Sequence, residues 1–144
     1  MTALRPMVAA DAPIVAALAT QLGYPSSTDE VATRFEELRR REDDEVLIAT
    51  DAEDTPIGWV HVARVAALES GPMALIGGLV VDDAHRSSGV GGELLAAAEA
   101  WARRHGAATM VVRSRSTRQR AHRFYERAGY VQVKLSHVFE KPLV

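Results

Sequence analysis

A glycine-rich segment is the part of this sequence whose residue types and spacing point most directly to chemistry. It lies between an apolar run and a helical pattern and consists of Arg86-Ser87-Ser88-Gly89-Val90-Gly91-Gly92. Glycine is costly in the first turn of a helix unless the backbone must approach another group closely. Free N–H groups and the positive end of the helix dipole favour an anion at that point. The segment therefore predicts a phosphate site, with a plain strand-to-helix turn as the alternative.

Two common phosphate motifs do not fit this segment. It lacks the Lys and Ser/Thr of a nucleotide P-loop, and Leu94 stands where the dinucleotide fingerprint has its third glycine. We therefore expect an anion other than those that these two motifs bind.

Thiol and metal chemistry are not expected. The sequence contains no cysteine, which excludes disulfides, thiolate metal ligands and a covalent cysteine intermediate. The five histidines show no metal-binding spacing, so we expect no metal; they are His61, His85, His105, His122 and His137. Any acyl chemistry must use another nucleophile or transfer the acyl group directly.

The elements that precede the glycine-rich segment are two helices and four strands. The sequence predicts a strand at Leu4–Val8, a helix capped by Asp11, and a second helix that begins with a Ser27/Glu30 capping box. Three further strands are expected at Glu45–Thr50, Ile57–Val65 and Met73–Val81. The last of these is apolar almost throughout, which is typical of a strand that helices cover on both faces.

After the segment, the pattern predicts a strand–helix–strand crossover. A helix at Val90–His105 connects to a strand at Ala108–Val112, which would run parallel to Met73–Val81. A last helix, with Ser116 and Gln119 as a capping box, would end at Gly129. Two final strands, at Val131–Leu135 and Val138–Glu140, would close the sheet. The order β-α-α-β-β-β-α-β-α-β-β indicates a layered α/β fold.

Two motifs in this order resemble those of the GNAT N-acetyltransferase superfamily. The acetyl-CoA motif of that family, Arg/Gln-x-x-Gly-x-Gly/Ala, is matched by Arg86, Gly89 and Gly91. A second motif, Ala-x-x-Phe-Tyr-x-x-x-Gly-Phe/Tyr, is matched by Ala121, Phe124, Tyr125, Gly129 and Tyr130. The resemblance covers essentially the whole chain. It implies a single domain over residues 1–144, with a mixed, mostly antiparallel sheet, a parallel β4-α3-β5 unit and helices on both faces.

The resemblance also implies acetyl-CoA as the cosubstrate. Backbone N–H groups would bind its pyrophosphate while Arg86 shapes or neutralises the loop; they belong to Ser87, Ser88, Gly89, Val90, Gly91 and Gly92. The pantetheine arm would pair with the main chain of Leu79, Val80 and Val81, as an added strand does. The Gly77-Gly78 pair predicts a bulge or close backbone approach in that strand. In the family, such a bulge lets an amide N–H polarise the thioester carbonyl.

Tyr125 is the candidate general acid that the resemblance implies. Phe124 and Tyr125 would flank the thiol, and the Tyr125 hydroxyl could protonate the leaving thiolate. The alternative is an aromatic ring that only packs at the helix end. Arg118 stands where family members often have Asn, and we retain it as a cofactor contact.

The general base is left open between two side chains and water. Many relatives place a carboxylate on the central strand, but Met73–Val81 contains none. Glu69, in the preceding loop, and His61, on the neighbouring strand, are the candidates. Each also has an ordinary structural explanation, as a solvated acid or a packed histidine. Tyr24, in the turn between the first two helices, and His61 are the expected substrate contacts.

Charge separates the chain into an acidic and a basic part. The formal net charge is −2, yet residues 29–54 carry a net −7 and residues 103–134 a net +8. The basic part favours an anionic ligand. A nucleic acid is less favoured, because the resemblance assigns Phe124 and Tyr125 to the cofactor and leaves no aromatic residues there on which bases could stack. The longest charge-free run contains two prolines, so we expect no membrane span.

The expected activity is N-acetyl transfer from acetyl-CoA to a primary amine of a small molecule or peptide, in the cytoplasm. A non-catalytic acyl-CoA-binding regulatory module is the alternative. We expect no nucleic-acid or membrane partner and leave a homodimer open.

Overall fold

A five-stranded sheet organises the first part of the chain. The computed structural model describes residues 2–144 and separates them into a first unit, which ends at Val112, and a second unit, Arg113–Val144. The strands follow chain order across the sheet: β1 Ala3–Pro6, β2 Asp44–Thr50, β3 Pro56–Ala67, β4 Gly71–Val81 and β5 Met110–Val112. Strands β1 to β4 pair antiparallel, and β5 runs parallel to β4. The predicted mixed, mostly antiparallel sheet is thus confirmed.

Helices cover both faces of this sheet within the first unit. They are α1 Ala12–Leu22, α2 Thr28–Leu38 and α3 Val90–Arg104. Trp59 of β3 packs against a cluster that contains Val15 of α1 and Phe35 of α2. Residues of β3 alternate between the faces, and the Cα of Gly58 approaches α3 so closely that a Cβ there would lie 3.1 Å from Leu94 Cδ1. The alternation places α1 and α2 on one face and α3 on the other.

The helix boundaries follow local signals in the sequence. Ser27 Oγ accepts from the Glu30 N–H at 3.1 Å, and Glu30 Oε1 accepts from the Ser27 N–H at 2.9 Å, which confirms the predicted capping box. Helix α1 ends at Gly23, whose φ of +105° favours glycine. The predicted starts and ends of the strands differ from the observed ones by one to two residues at most positions.

Asp11 occupies the predicted N-cap position of α1, but its side chain makes no cap hydrogen bond to that helix. Its carboxylate accepts from Arg5 Nη1 and Nη2 at 2.8 and 2.9 Å and from the Val8 N–H at 2.9 Å. Burial by itself raises the pKa of this carboxyl, but the Arg5 and Val8 hydrogen bonds outweigh it, and the pKa of Asp11 is lowered. The carboxylate therefore ties the end of β1 to the start of α1.

The second unit contains one helix, α4 Gln119–Arg127. The predicted Ser116/Gln119 capping box is wrong, because Arg118 occupies the N-cap position and no side chain caps the helix. Gly129 follows the helix with a φ of +95°, in keeping with the predicted stop.

The two predicted closing strands are also wrong. Residues 130–144 contain no strand at Val131–Leu135 or at Val138–Glu140, although the first of these segments alternates apolar and polar residues as strands do. Alternation stabilises a strand only when one face is buried and a neighbouring strand accepts its hydrogen bonds. Here the side chains of Val131, Val133 and Phe139 are 80%, 86% and 91% exposed, and the described sheet ends at β5.

Candidate functional site

The glycine-rich loop connects β4 to the start of α3. After Val81 the chain makes a short 3₁₀ turn, Asp83–His85, and α3 begins with Gly89 at its N-cap position. Two residues of the loop adopt positive φ: Ser87 at +64° and Gly89 at +89°. The Glu93 N–H is bonded to the Gly89 carbonyl, so by helix geometry the N–H groups of residues 89–92 have no acceptor within the helix. These are the donors that an anion site requires.

Internal contacts hold the loop in shape. Arg86 Nη2 lies 2.8 Å from Asp83 Oδ1, and the Ser88 hydroxyl donates to the His85 carbonyl. Arg86 therefore has an acidic partner within the loop, a contact that suits a shaping role. Open space surrounds the Cα atoms of Gly89 and Gly92: a Cβ at either position would meet no atom within 4 Å. The start of α3 thus has room for a ligand on its outer side.

An open strand edge adjoins this loop. Strand β4 pairs with β5 only through Ala74–Ile76, whereas its pairing with β3 continues to Val81. Within the described sheet, residues 77–81 consequently have a strand neighbour on one side only. Leu79 and Val81 are half-buried and Val80 is buried. Such an edge presents unpaired N–H and C=O groups that an extended ligand can bind.

The sequence-predicted irregularity of β4 is present as a bulge. His61 of β3 is opposite Gly78 and Val62 is opposite Ile76, which leaves Gly77 as the extra residue. A Cβ on Gly77 would lie 2.6 Å from His61 Nδ1, and one on Gly78 would lie 2.8 Å from Trp59 Cη2. Each glycine therefore makes room for one ring of β3. The bulge begins at the residue where β5 leaves β4.

His61 forms a side-chain hydrogen bond that the sequence did not reveal. Its Nε2 lies 2.8 Å from Oδ1 of Asp44, whose side chain is 4% exposed, while the His61 side chain is 24% exposed. Arg41 Nε donates to the other Asp44 oxygen. The pairing of β2 with β3 brings Asp44 to this place, since Val46 is directly opposite His61. Asp44, Val46 and Ile48 are spaced by two residues and so share one face of β2. An acidic residue in line with two buried apolar ones was the signal that the sequence offered.

Glu69, the other candidate base, lies far from the bulge. It is exposed in the turn of residues 68–70, which connects β3 to β4. It follows His61 by eight residues, six of them along β3, a separation of about 20 Å along the strand. The structure therefore does not bring Glu69 and His61 together.

Tyr24 lies in the connection between α1 and α2 and is 55% exposed. The nearby end of α1 is bonded to the segment that follows β4: Gln21 Nε2 donates to Asp82 Oδ1 at 3.2 Å, and Gln21 Oε1 accepts from the Asp83 N–H at 3.1 Å. These bonds place the α1–α2 connection beside the start of the glycine-rich loop. Gln21 was not singled out from the sequence, where a polar residue at a helix end is unremarkable.

The second unit holds the other predicted cofactor residues. Phe124 and Tyr125 form an edge-to-face pair with ring centroids 5.1 Å apart, and Tyr125 meets Tyr130 in the same way at 5.8 Å. Burial raises the pKa of the Tyr125 hydroxyl, while the charge of Arg118 acts in the opposite direction. The phenol is consequently protonated at neutral pH, as a proton donor must be. The roles of these residues stay predictions.

An open depression of about 880 Å³ lies elsewhere on the first unit. Its lining includes Phe35, Leu38, Arg41, Trp101 and Arg104. The last two belong to the final turn of α3, about 20 Å from the glycine-rich loop at the other end of this helix. The lining also includes Asp44, which is bonded to Arg41 and His61, so the depression borders this hydrogen-bonded group and not the glycine-rich loop. Among residues 2–144, no cluster of three or more His, Asp or Glu side chains is arranged to hold a metal ion, and no helix is long and apolar enough to cross a bilayer.

Comparisons with known proteins agree with this architecture. A model of the acetyltransferase (GNAT) family matches residues 13–130. An aminoglycoside N(6')-acetyltransferase type 1 from Stenotrophomonas maltophilia is 30% identical over 102 residues, which are 68% of this chain and 67% of that protein. The solved structure of the aminoglycoside 6'-N-acetyltransferase AAC(6')-Ih from Acinetobacter baumannii aligns with a TM-score of 0.87 and 18% identity over 100% of both chains. That of AAC(6')-Iy in complex with CoA has a TM-score of 0.86 and 20% identity, over 98% of this chain and 95% of that one.

Proposed function

The chain belongs to the acetyltransferase (GNAT) family, and from this premise we propose that it moves the acetyl group of acetyl-CoA directly to a primary amine. As a member of this family it is an acyltransferase with an acyl-CoA cosubstrate. The family match extends across the boundary between Val112 and Arg113, which supports a single functional domain over residues 1–144. We place this domain in the cytoplasm.

The observation that carries the proposal is the glycine-rich loop next to an open strand edge. In the proposed complex, the pyrophosphate accepts from backbone N–H groups of residues 87–92, and the pantetheine amides pair with Leu79–Val81. An uncharged cradle of this kind relies on the α3 dipole and on directed N–H groups. The Arg86–Asp83 contact supports the cradle by fixing its entrance. Arg118 and Phe124, in the second unit, are further proposed cofactor contacts.

The proposed reaction is a direct displacement. The neutral amine nitrogen attacks the thioester carbonyl carbon, the new N–C bond forms, and the C–S bond breaks. The amide N–H that the bulge turns toward the carbonyl stabilises the developing oxyanion. Tyr125 gives its proton to the departing thiolate and recovers one from solvent. The amine must lose a proton, for which His61, Glu69 and water are the candidates. The chain has no cysteine to form an acyl intermediate.

A cationic amine of the aminoglycoside class is the acceptor that we propose first. The relative of 30% identity carries that activity in its name, and residues 29–54 of this chain have a net charge of −7. An acidic surface raises the local concentration of a polycationic substrate. Tyr24, at the α1–α2 connection beside the loop, is the proposed acceptor contact.

Thiol release from acetyl-CoA tests this proposal across a panel of aminoglycosides, polyamines and peptide N-termini. We expect release with at least one amine and formation of an N-acetyl product by mass spectrometry. Acetyl-CoA binding without release for every amine class would instead identify a non-catalytic binding module. The absence of cysteine means that the protein itself contributes no thiol to the readout.

Tyr125→Phe tests the proposed acid. The variant keeps the ring contacts with Phe124 and Tyr130 but has no proton to give. We expect turnover to fall about 100-fold, the lower range for general acid catalysis, with acetyl-CoA affinity nearly unchanged. Tyr130→Phe is the matched control, since the family motif accepts either residue there. Equal turnover in the two variants would remove Tyr125 from the mechanism.

A further inference from the structure

A histidine and a carboxylate are hydrogen-bonded to each other on the face of the sheet that α1 and α2 cover. We propose that His61 is the catalytic base that accepts the proton of the acceptor amine, and that Asp44 is the positioning residue that holds its ring. This inference deepens the proposed N-acetyl transfer and rests on it.

The hydrogen bond fixes which ring nitrogen is available. A carboxylate only accepts hydrogen bonds, so the contact of 2.8 Å between Asp44 Oδ1 and His61 Nε2 places the proton of the neutral ring on Nε2. The lone pair is then on Nδ1. Asp44 is itself held by Arg41 and nearly buried, so its oxygen has little freedom to turn away. The pair therefore presents a basic nitrogen in one orientation.

The bulge determines where this nitrogen lies. Nδ1 is the atom nearest to the position that a Cβ on Gly77 would occupy, at 2.6 Å. Gly77 is also the first residue of β4 beyond its pairing with β5, so it begins the open edge that we assign to the pantetheine arm. Because Gly77 has no side chain, the Nδ1 side of the His61 ring lies against the β4 backbone at the bulge. The base thus lies at the inner end of the proposed cofactor track.

The competing candidate has no such placement. Glu69 lies in the exposed turn about 20 Å farther along β3, well beyond the reach of a hydrogen bond to a group at the bulge. The charged groups bonded around His61 are Asp44 from β2 and Arg41 from the segment before β2, while β4 contributes only the two glycines. The imidazolium formed during the reaction would therefore face a carboxylate.

The proton balance is simple. As the amine nitrogen bonds to the carbonyl carbon, its proton passes to Nδ1, and the electron pair of the breaking C–S bond leaves with sulfur. His61 is then doubly protonated and paired with Asp44. Release of the Nδ1 proton to solvent restores the starting tautomer.

Substitutions at both residues test the assignment in the thiol-release assay. For His61→Ala we expect about a 100-fold lower kcat, loss of the acidic limb of the pH–rate profile, unchanged acetyl-CoA affinity, and partial recovery on adding free imidazole. For Asp44→Asn we expect a smaller loss of kcat with unchanged acetyl-CoA affinity, because the ring remains but the carboxylate that orients it is gone. Asp43→Asn, an exposed neighbour, is the matched control and should behave as wild type. A limb retained in His61→Ala, or acetyl-CoA binding lost together with kcat, would overturn the assignment.

Nitrogen-15 NMR of the histidine rings decides the pair independently of activity. We expect the Nε2–H tautomer for His61 in wild type and a mixture of tautomers in Asp44→Asn. A His61 ring protonated on Nδ1 overturns the pair even if acetyl transfer is confirmed. If wild type shows the expected tautomer but releases no thiol with any amine, the proposed function fails, and the catalytic role of His61 fails with it while the pair stands.

Discussion

Gly77→Ala adds a single methyl group at the point where β3 and β4 are closest. The new Cβ would lie 2.6 Å from His61 Nδ1, 3.2 Å from Cε1 and 3.3 Å from Cγ, all inside normal van der Waals contact. Gly77 does not have a positive φ, so alanine fits its backbone conformation without strain. In the folded state, the effect of the substitution therefore comes from contact with the His61 ring.

Two responses are open to the protein, and each has a cost. If the ring turns aside, it gives up the bond to Asp44, and a hydrogen bond to a charged group contributes about 1.5–3 kcal/mol. If the strands shift instead, overpacking costs about 1–3 kcal/mol. Reduced freedom of the unfolded chain returns about 0.4–1 kcal/mol. We therefore expect the free energy of unfolding to fall by about 1–2 kcal/mol, and Tm by about 2–8 °C for a chain of this size.

Urea unfolding followed by tryptophan fluorescence measures this loss, and a double-mutant cycle assigns it. In the His61→Ala background the ring is gone, so only the unfolded-chain effect remains and the added methyl should stabilise by about 0.4–1 kcal/mol. The coupling energy should therefore exceed the loss in the single variant by that amount. Gly92→Ala is the control, because its Cβ meets no atom within 4 Å and helix propensity favours alanine there. An undiminished stability of Gly77→Ala, or the same loss in both backgrounds, would refute the contact argument.

Two further substitutions address the frame around the site. Asp11→Asn should lower the free energy of unfolding at pH 7 by about 2 kcal/mol, below the range for fully buried pairs because Arg5 is 27% exposed and can be rehydrated. Since the folded pKa of Asp11 is lowered, the stability that its carboxylate contributes is complete above the unfolded pKa of 3.8 and disappears as the pH falls through the folded value. Urea titrations in which Asp11→Asn loses the same free energy of unfolding at pH 3 and at pH 7 would contradict this. Gly89→Ala places a side chain at a φ of +89°, at a cost of about 1–2 kcal/mol, and should weaken acetyl-CoA binding. Isothermal titration with unchanged affinity and unchanged Tm would show that this conformation is not required.

The features of the fold that the sequence predicted correctly depend mostly on patterns within a few residues. The Ser27/Glu30 capping box and the glycine-rich start of α3 are specified within a few residues, and both are present. The Gly77-Gly78 bulge was predictable for the same reason, because glycines inside an apolar strand indicate a close approach. The family motifs predict the cofactor residues, and the roles of those residues stay predictions.

Pairing between distant segments accounts for what the sequence did not reveal. Nothing local to Val131–Leu135 distinguishes a strand from an exposed extended segment, since the difference depends on a partner elsewhere in the chain. The Asp44–His61 contact likewise depends on the register of β2 against β3, across 17 positions in sequence. From the sequence, Glu69 and His61 were both candidates for the general base. In the structure, β3 separates the turn that contains Glu69 from the bulge at His61 by about 20 Å.

The two glycines of the bulge also link positions that a sequence alignment would treat as separate. His61 fills the space above Gly77, and Trp59 fills the space above Gly78. A homologue with a side chain at either β4 position must therefore carry a smaller residue at its β3 counterpart, or rebuild the bulge. These four positions should vary in pairs during evolution, and a directed-evolution library would recover larger residues at position 77 only when position 61 is randomised with it.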